Sequence, residues 1–391
     1  MQRARRITTP LISTLALVAT LHASPAAAGS DKVLYSFTNG TDGAVPYAGL
    51  VRDAKGNLYG STQTGGAGSN STDTHTGTIF VLSPKNVLTT LHAFTGGADG
   101  DIPQGTLAAD GHGNFYGSTE ATDNMAGGTI FRVSSTGAYT VLQQMSCTGD
   151  TGCGVSAGLT KVGSEFYGAA SFGGKNGAGT IFRIDAAGKF HTVYAFSNGE
   201  DGGYPFGSLV GDGNGNLYGT TPTGGANGDG TIFKVTTTGT ETVLYSFAGG
   251  DDGSNPFAGL ARDSQGNLYG TTEQGGTYNN GTVFELPAGG TEKVIYTFLG
   301  GNDGANPYSQ LVINGAGQLV GTTAGGGLQD AGTVFAVTLS TGLETQIYSF
   351  AGGADGSTPY AGVLLTKEGK YFGTTSVGGA NGAGTVFEII P

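Results

Sequence analysis

Apolar positions in this chain come in short runs where aromatic and β-branched residues alternate with small or polar ones, and Gly, Asn and Ser break every run. Between Pro256 and Phe298 the runs are PFAGLARD, NLYGTTEQ, GTVFELPA and KVIYTF, separated by SQG, GGTYNN and GGTE. Runs of this length between such breaks predict four strands joined by tight turns. Nothing in the pattern has the 3.6-residue period of an amphipathic helix.

The same four-run sentence repeats along the chain. Gly-Thr-Ile/Val-Phe ends at Phe80, Phe131, Phe182, Phe233, Phe284, Phe335 and Phe387, with spacings of 51 and, once, 52. The GNLYGTT-like run is centred on Tyr59, Tyr116, Tyr167, Tyr218, Tyr269, Val320 and Phe372, and the VLYSF-like run ends at Phe37, Phe94, Met145, Phe196, Phe247, Phe298 and Phe350. A fixed period near 51 holding four strands is the signature of a propeller blade, since one small sheet cannot bury both faces and must stack on like neighbours. The phase of the ends predicts closure. The repeats begin with a lone fourth strand, Lys32 to Phe37, and finish with strands one to three of a blade, so the first strand completes the last blade and leaves no exposed edge. The expected fold is an all-β, seven-bladed propeller over residues 29–391, with strands A to D in each blade and A nearest the axis. Asp-x-x-Gly-Asn at Asp53, Asp212 and Asp263 is expected to turn A into B, with Asp accepting turn amide bonds.

Composition narrows the class. Seventy-six glycines without a three-residue period, no tryptophan and 12% charged residues exclude collagen, coiled coil and helical bundle. The first 28 residues have a basic start (Arg3, Arg5, Arg6), an apolar centre and a small-residue end at Ala26-Ala27-Ala28, the layout of a cleaved secretory signal. No apolar tail or sorting motif precedes Pro391, so a soluble, secreted monomer is expected, extracellular or periplasmic. The formal charge of -12 becomes -15 when the three leader arginines are lost. Such a surface repels phosphate backbones and anionic lipid, so neither nucleic acid nor membrane insertion is expected.

GTVFEL, AGG-x-DG-x-x-P-Y/F and GNLYGTT, taken together from Lys32 to Phe387, resemble the GloVer tandem-repeat family of secreted bacterial proteins. The A-to-B portion is more loosely similar to NHL-type blades. The resemblance implies export and, in the family, varied C-terminal anchors, of which this chain has none recognisable. It supplies no catalytic residue and no substrate.

Candidate chemistry is sparse. An Asp stands five residues beyond each D-strand anchor: Asp42, Asp99, Asp150, Asp201, Asp252, Asp303 and Asp355, six of them followed by Gly. A ring of carboxylates is a weak calcium candidate, because hard cations take several oxygen ligands. An Asp-Gly turn needs the same carboxylate for itself, and that reading is preferred, with no metal or cofactor assigned. Strand A opens with Pro and then Tyr47, Gln104, Phe206, Phe257, Tyr308 or Tyr360, while blade three has Val155-Ser156. These side chains are expected around the axial mouth, where aromatic rings suit sugar stacking, a protein loop or packing between blades.

Departures from symmetry gather in blades one to three: an insertion in the B–C loop of blade one, an irregular B–C loop in blade two, and Cys147 with Cys153 in blade three. All fall on one face and suggest a patch with His75, Gln104, Glu120 and Asp123. The two cysteines, six apart in an exported chain, are expected to form a disulfide. No nucleophile elbow, zinc-protease helix or phosphate loop is present. The leading expectation is a non-enzymatic propeller that binds an extracellular or cell-surface glycan or protein. The alternative is a polysaccharide lyase or glycoside hydrolase working on the loop face of blades one to three.

Overall fold

The computed structural model describes residues 30–66, 76–120 and 126–391. Its strands form seven four-stranded antiparallel sheets. In blade five these are A (Ala261–Arg262), B (Leu268–Thr272), C (Thr282–Leu286) and D (Lys293–Thr297), hydrogen-bonded in that order. Blades one to four and six repeat the order, giving the seven-bladed propeller that the repeat predicts. The only helices among the described residues are single 3₁₀ turns at Gly250–Asp252, Gly301–Asp303 and Gly353–Asp355. No helix there is long and apolar enough to cross a membrane.

Blade seven closes the ring. Its strands A to C are Leu364–Leu365, Tyr371–Thr375 and Thr385–Ile390, and its D strand is the first of the chain, Ser30–Ser36. Val33 pairs with Phe387 and Tyr35 with Val386. The Phe37 amide then donates to the Gly384 carbonyl at 3.0 Å.

The motif residues fit one another for steric reasons. Gly270 of strand B faces Phe284 of strand C, and a Cβ on Gly270 would stand 2.5 Å from the ring's Cζ. The glycine of LYGTT is therefore the space that the phenylalanine of GTVF fills. That phenylalanine also takes the D-strand phenylalanine of the preceding blade edge-on: Phe37 on Phe80, Phe247 on Phe284 and Phe350 on Phe387, at 5.1 to 5.2 Å between centroids. All six rings are fully buried. The core consequently lies between blades, and each blade is stable only through its neighbours.

Hydroxyls fix the joints. The Thr272 and Thr282 hydroxyls pair at 2.8 Å inside blade five, and the Thr271 hydroxyl donates to the Pro307 carbonyl of blade six at 3.0 Å. Thr374 makes the corresponding bond from blade seven to Ala48 of blade one at 3.1 Å. Around the axis the A strands are only two or three residues long. There Gly259 lets backbones meet, since a Cβ on it would lie 2.6 Å from the Ser208 carbonyl oxygen. The predicted A-to-B turns hold as well: Asp263 accepts from the Gln265 and Asn267 amides at 2.9 Å and from the Asn267 side chain at 2.8 Å.

Candidate functional site

Six of the seven A strands are entered through a non-glycine residue held at positive φ one position before the buried Pro: Val45, Ile102, Tyr204, Asn255, Asn306 and Thr358, at φ of 48° to 58°; in blade three Gly154, at φ 68°, stands before Val155. For β-branched residues this is an unusual backbone conformation, sustained only where surroundings over-determine it. They do so here. The Asn255 amide donates to the Asp229 carbonyl of the previous blade at 3.1 Å, and its carbonyl accepts from the Glu273 amide, also at 3.1 Å. Ile102 is clamped in the same way, with its carbonyl accepting from the Glu120 amide at 3.1 Å. The same turn therefore sets the direction of the following Pro, the rim residue after it, and the first residue beyond strand B.

The predicted rim residues do converge. Tyr47, Gln104, Ser156, Phe206, Phe257, Tyr308 and Tyr360 line one axial cavity of about 480 Å³, together with Glu120. Five of them form a continuous aromatic arc over blades four, five, six, seven and one. Phe206 meets Phe257 at 5.3 Å, Phe257 meets Tyr308 at 6.0 Å, Tyr308 meets Tyr360 at 5.6 Å, and Tyr360 stacks on Tyr47 at 4.5 Å. The arc is interrupted at blades two and three, where Gln104 and Ser156 stand and the Gln104 amide donates to the Glu120 carboxylate. Burial raises the Glu120 pKa, the charge of Asp101 raises it further, and the Gln104 bond partly offsets both.

Two contributors escaped the sequence reading. Glu273 occupies the position of Glu120, directly after the Thr that ends strand B, and the Tyr308 hydroxyl donates to its carboxylate. Aligning GSTE of blade two with GTTE of blade five would have found it. Phe172, 41% exposed, extends the arc by meeting Phe206 edge-on at 5.8 Å. Its signal is a Phe where other blades carry Thr, Ala, Gln, Gly or Val. The Tyr47 hydroxyl is pushed up to about 12 by burial, then by Tyr360, Glu120 and Glu273, so both carboxylates project their charge into the mouth. His75 and Asp123, the other members of the predicted patch, lie outside the described residues.

The Asp residues of the D–A loops serve their own loops. Asp42 accepts from the Tyr35 hydroxyl at 3.0 Å, the Thr38 amide at 2.8 Å and the Thr38 hydroxyl at 2.5 Å, and Asp201 repeats the set with Tyr194 and Ser197. Asp252, Asp303 and Asp355 each hold a D-strand tyrosine hydroxyl and the amide four residues earlier. In blade one, His92 replaces the tyrosine and bonds Asp99 at 3.1 Å while stacking on Tyr139 at 3.8 Å; burial lowers its pKa despite that partner. Among the described residues no three His, Cys, Asp or Glu side chains gather as a metal site.

Four of these carboxylates face a second acid from the next blade, which sequence reasoning also missed. Glu241, Glu292, Glu344 and Asp31 stand at one register, six residues before the D-strand phenylalanine. They oppose Asp201, Asp252, Asp303 and Asp355 respectively. Each has one buried oxygen without a hydrogen-bond partner. Burial, followed by the facing aspartate, raises Glu241 to about 7, Glu292 to about 8, Glu344 to about 8 and Asp31 to about 7.

Cys147 and Cys153 form the expected disulfide, with Cα atoms 4.9 Å apart. In this loop Thr151, next to Asp150, does the work that the aspartate does elsewhere, its hydroxyl accepting from the Ser146 amide at 2.9 Å. The Cys153 amide then donates to the Phe172 carbonyl at 2.8 Å, which ties the loop to the rim. Replacing both cysteines by Ser should lower unfolding free energy by about 2 kcal/mol, the modest value of so short a loop. Urea melts of the two proteins measure it, and coincident curves would mean that the hydrogen bonds alone hold the loop.

Comparison with known proteins comes to a family and a fold. The Gloeobacter/Verrucomicrobia repeat model matches residues 20–161, 109–315 and 212–391. No curated protein sequence matches the chain. Among solved structures, it is similar to the extracellular domain of a protein assigned as a hybrid two-component system from B. thetaiotaomicron. That match has a TM-score of 0.59 and 12% identity and covers 92% of this chain and 39% of the other. The chain thus spans about two fifths of that relative. It is also similar to a protein assigned as a 6-phosphogluconolactonase from Bacteroides uniformis, with a TM-score of 0.53, 15% identity and coverage of 81% and 88%. An oligogalacturonate lyase in complex with manganese gives a TM-score of 0.53, 12% identity and coverage of 81% and 84%. At these identities the likeness is one of fold.

Proposed function

The chain belongs to the Gloeobacter/Verrucomicrobia repeat family, and from that premise we propose that it is a secreted, non-enzymatic propeller that binds an extracellular glycan in its axial mouth. The aromatic arc carries the reading. Five half-exposed rings from consecutive blades border a cavity of about 480 Å³, a volume in the range of small-molecule and oligosaccharide sites. Gln104, Ser156 and Glu120 complete the wall with donors and acceptors for hydroxyl groups. Rings that offer a face and an edge to apolar C–H surfaces, beside a few convergent polar groups, suit a sugar better than a flat protein surface. Secretion rests on the leader and on the disulfide, which persists in oxidising compartments.

Binding fits this mouth better than turnover. Glycoside hydrolysis ordinarily uses two carboxyl groups flanking the scissile bond. Among the described residues Glu120 is the one carboxylate that lines the cavity, and Glu273 is engaged by Tyr308. An acid-lined mouth is also a poor match for a polyuronate, the substrate class in the name of the lyase with the same fold.

Retention on a panel of insoluble polysaccharides tests the proposal, with soluble products assayed in the same tubes. Replacing Tyr47 and Tyr360 together by Ala should weaken retention by about 1–3 kcal/mol, roughly fivefold or more, with little change in melting because both rings are partly exposed. Unsaturated or reducing ends appearing with time would make the protein an enzyme. Unchanged retention in the double variant would move the site away from the arc.

A further inference from the structure

We propose that the mouth selects a saccharide bearing free amino groups, recognised as ammonium by the aromatic arc together with Glu120 and Glu273. This rests on the glycan-binding reading and narrows it.

The argument is one of charge at a π-rich surface. Among the described residues, no Lys, Arg or His lines the cavity, and Glu120 is its one ionisable lining group besides the tyrosines. Glu273 stands behind Tyr308, and Asp101 lies close enough to Glu120 for their charges to interact. Among the described residues every formal charge at the mouth is therefore negative, and the arc adds π-electron density wherever a ring face is open to the cavity. A uronate or sulfated chain is repelled there. A neutral sugar can stack but gains only hydrogen bonds from the carboxylates. An ammonium group gains cation–π attraction and Coulomb attraction in a half-enclosed site where solvent screens less than at an open surface.

Glu120 and Glu273 occupy equivalent positions in blades two and five, each donating its backbone amide hydrogen bond to the carbonyl of the left-handed residue before strand A, Ile102 or Asn255. The equivalent positions in the other blades are Gln63, Ser171, Pro222, Ala324 and Ser376. Neither glutamate is thus required by the repeat. A position that the fold leaves free has become acidic twice, on separated sectors of one mouth.

The test uses the full secreted protein and two probes of equal length, an oligomer of glucosamine and its fully N-acetylated counterpart. Calorimetry is run below the pKa of the amine at low and high salt. The amino oligomer is expected to bind at least about tenfold more tightly, with the advantage shrinking as salt rises. Glu120→Gln should weaken the amino oligomer by a clearly larger factor than the N-acetylated one and so erase most of that advantage, and Glu273→Gln should reduce it less, because Tyr308 already engages that carboxylate. Glu120→Gln changes the net charge of the acidic surface by only one, so nonspecific attraction of a polycation would survive it, and survival of the full advantage overturns the proposal. Equal affinity for the two oligomers also overturns it but leaves the glycan-binding reading intact. Binding of neither oligomer, or of any polysaccharide in the panel, removes both. A lysine-rich peptide bound as tightly as the glucosamine oligomer, and equally sensitive to Glu120→Gln, would assign the site to a protein partner instead.

Discussion

A chain lacking residues 30–37 is expected to lose its cooperative thermal transition or to melt at least roughly 10 °C lower, and to aggregate on standing. The deletion takes the D strand from blade seven, uncovers the backbone edge of Thr385–Ile390, and removes Phe37 from a cluster that also holds Phe80, Phe372 and Val386. Blades seven and one would then face each other across a seam without one of its two fully buried phenylalanine rings. Phe37→Ala isolates the packing part of the effect, at about 3–5 kcal/mol, while keeping the strand. Circular dichroism melts and size-exclusion chromatography read both variants. A truncated protein that melts like the full chain would show that the ring closes without this strand.

Stability is expected to fall as pH rises from about 5 to 8, the reverse of what salt-bridged carboxylates produce. Glu241, Glu292, Glu344 and Asp31 have folded-state pKa values of about 7 to 8, above their ordinary values of 4.5 and 3.8. In that window the folded state binds more protons than the unfolded chain. The contribution is complete below the unfolded pKa values and disappears as pH passes the folded ones. The physical event is the loss of the proton at each carboxyl pair, which leaves two anions facing each other between blades. The sites are partly exposed, so solvent screening trims each to on the order of 1 kcal/mol, and the four together to a fall of roughly 5–10 °C in melting temperature.

At the acid end, Asp53, Asp110, Asp212 and Asp263 have lowered pKa values. Burial opposes the shift, and hydrogen bonds from the turn's Asn side chain and amides produce it. Their contribution is lost as pH drops through those lowered values, so the optimum should lie near pH 5. Melting curves at constant ionic strength from pH 4 to 9 provide the check. A combined Asp31→Asn, Glu241→Gln, Glu292→Gln, Glu344→Gln variant should flatten the alkaline slope. A slope unchanged in that variant would assign the dependence to other groups. Wild-type stability that instead rises with pH would show these acids to be ionised in the folded state.

Most of the architecture is legible in the chain because a propeller poses the same packing problem seven times. Gly270 and Phe284 must be spaced as they are for one to accommodate the ring of the other, and any blade that broke the spacing would lose its core. The lone first strand and the three-stranded last blade likewise make closure a matter of counting. Cys147 and Cys153 could be paired from the sequence because a short loop brings its two ends together by itself. The rim was legible as positions, since each residue after the strand-A proline has to face the axis. The sequence could not say how those rings meet, because contacts such as Tyr47 on Tyr360 join blades one and seven, more than 300 residues apart.

The carboxyl pairs were hidden for the same reason. Asp252 belongs to the loop after blade four and Glu292 stands just before the D strand of blade five, and nothing local in either marks the other as its partner. The repeat period thus determines each blade and its order in the ring, because its forces act within about 51 residues. The mouth and the acid pairs were decided only when the ring brought different copies of the repeat together, at distances where charge and ring geometry act.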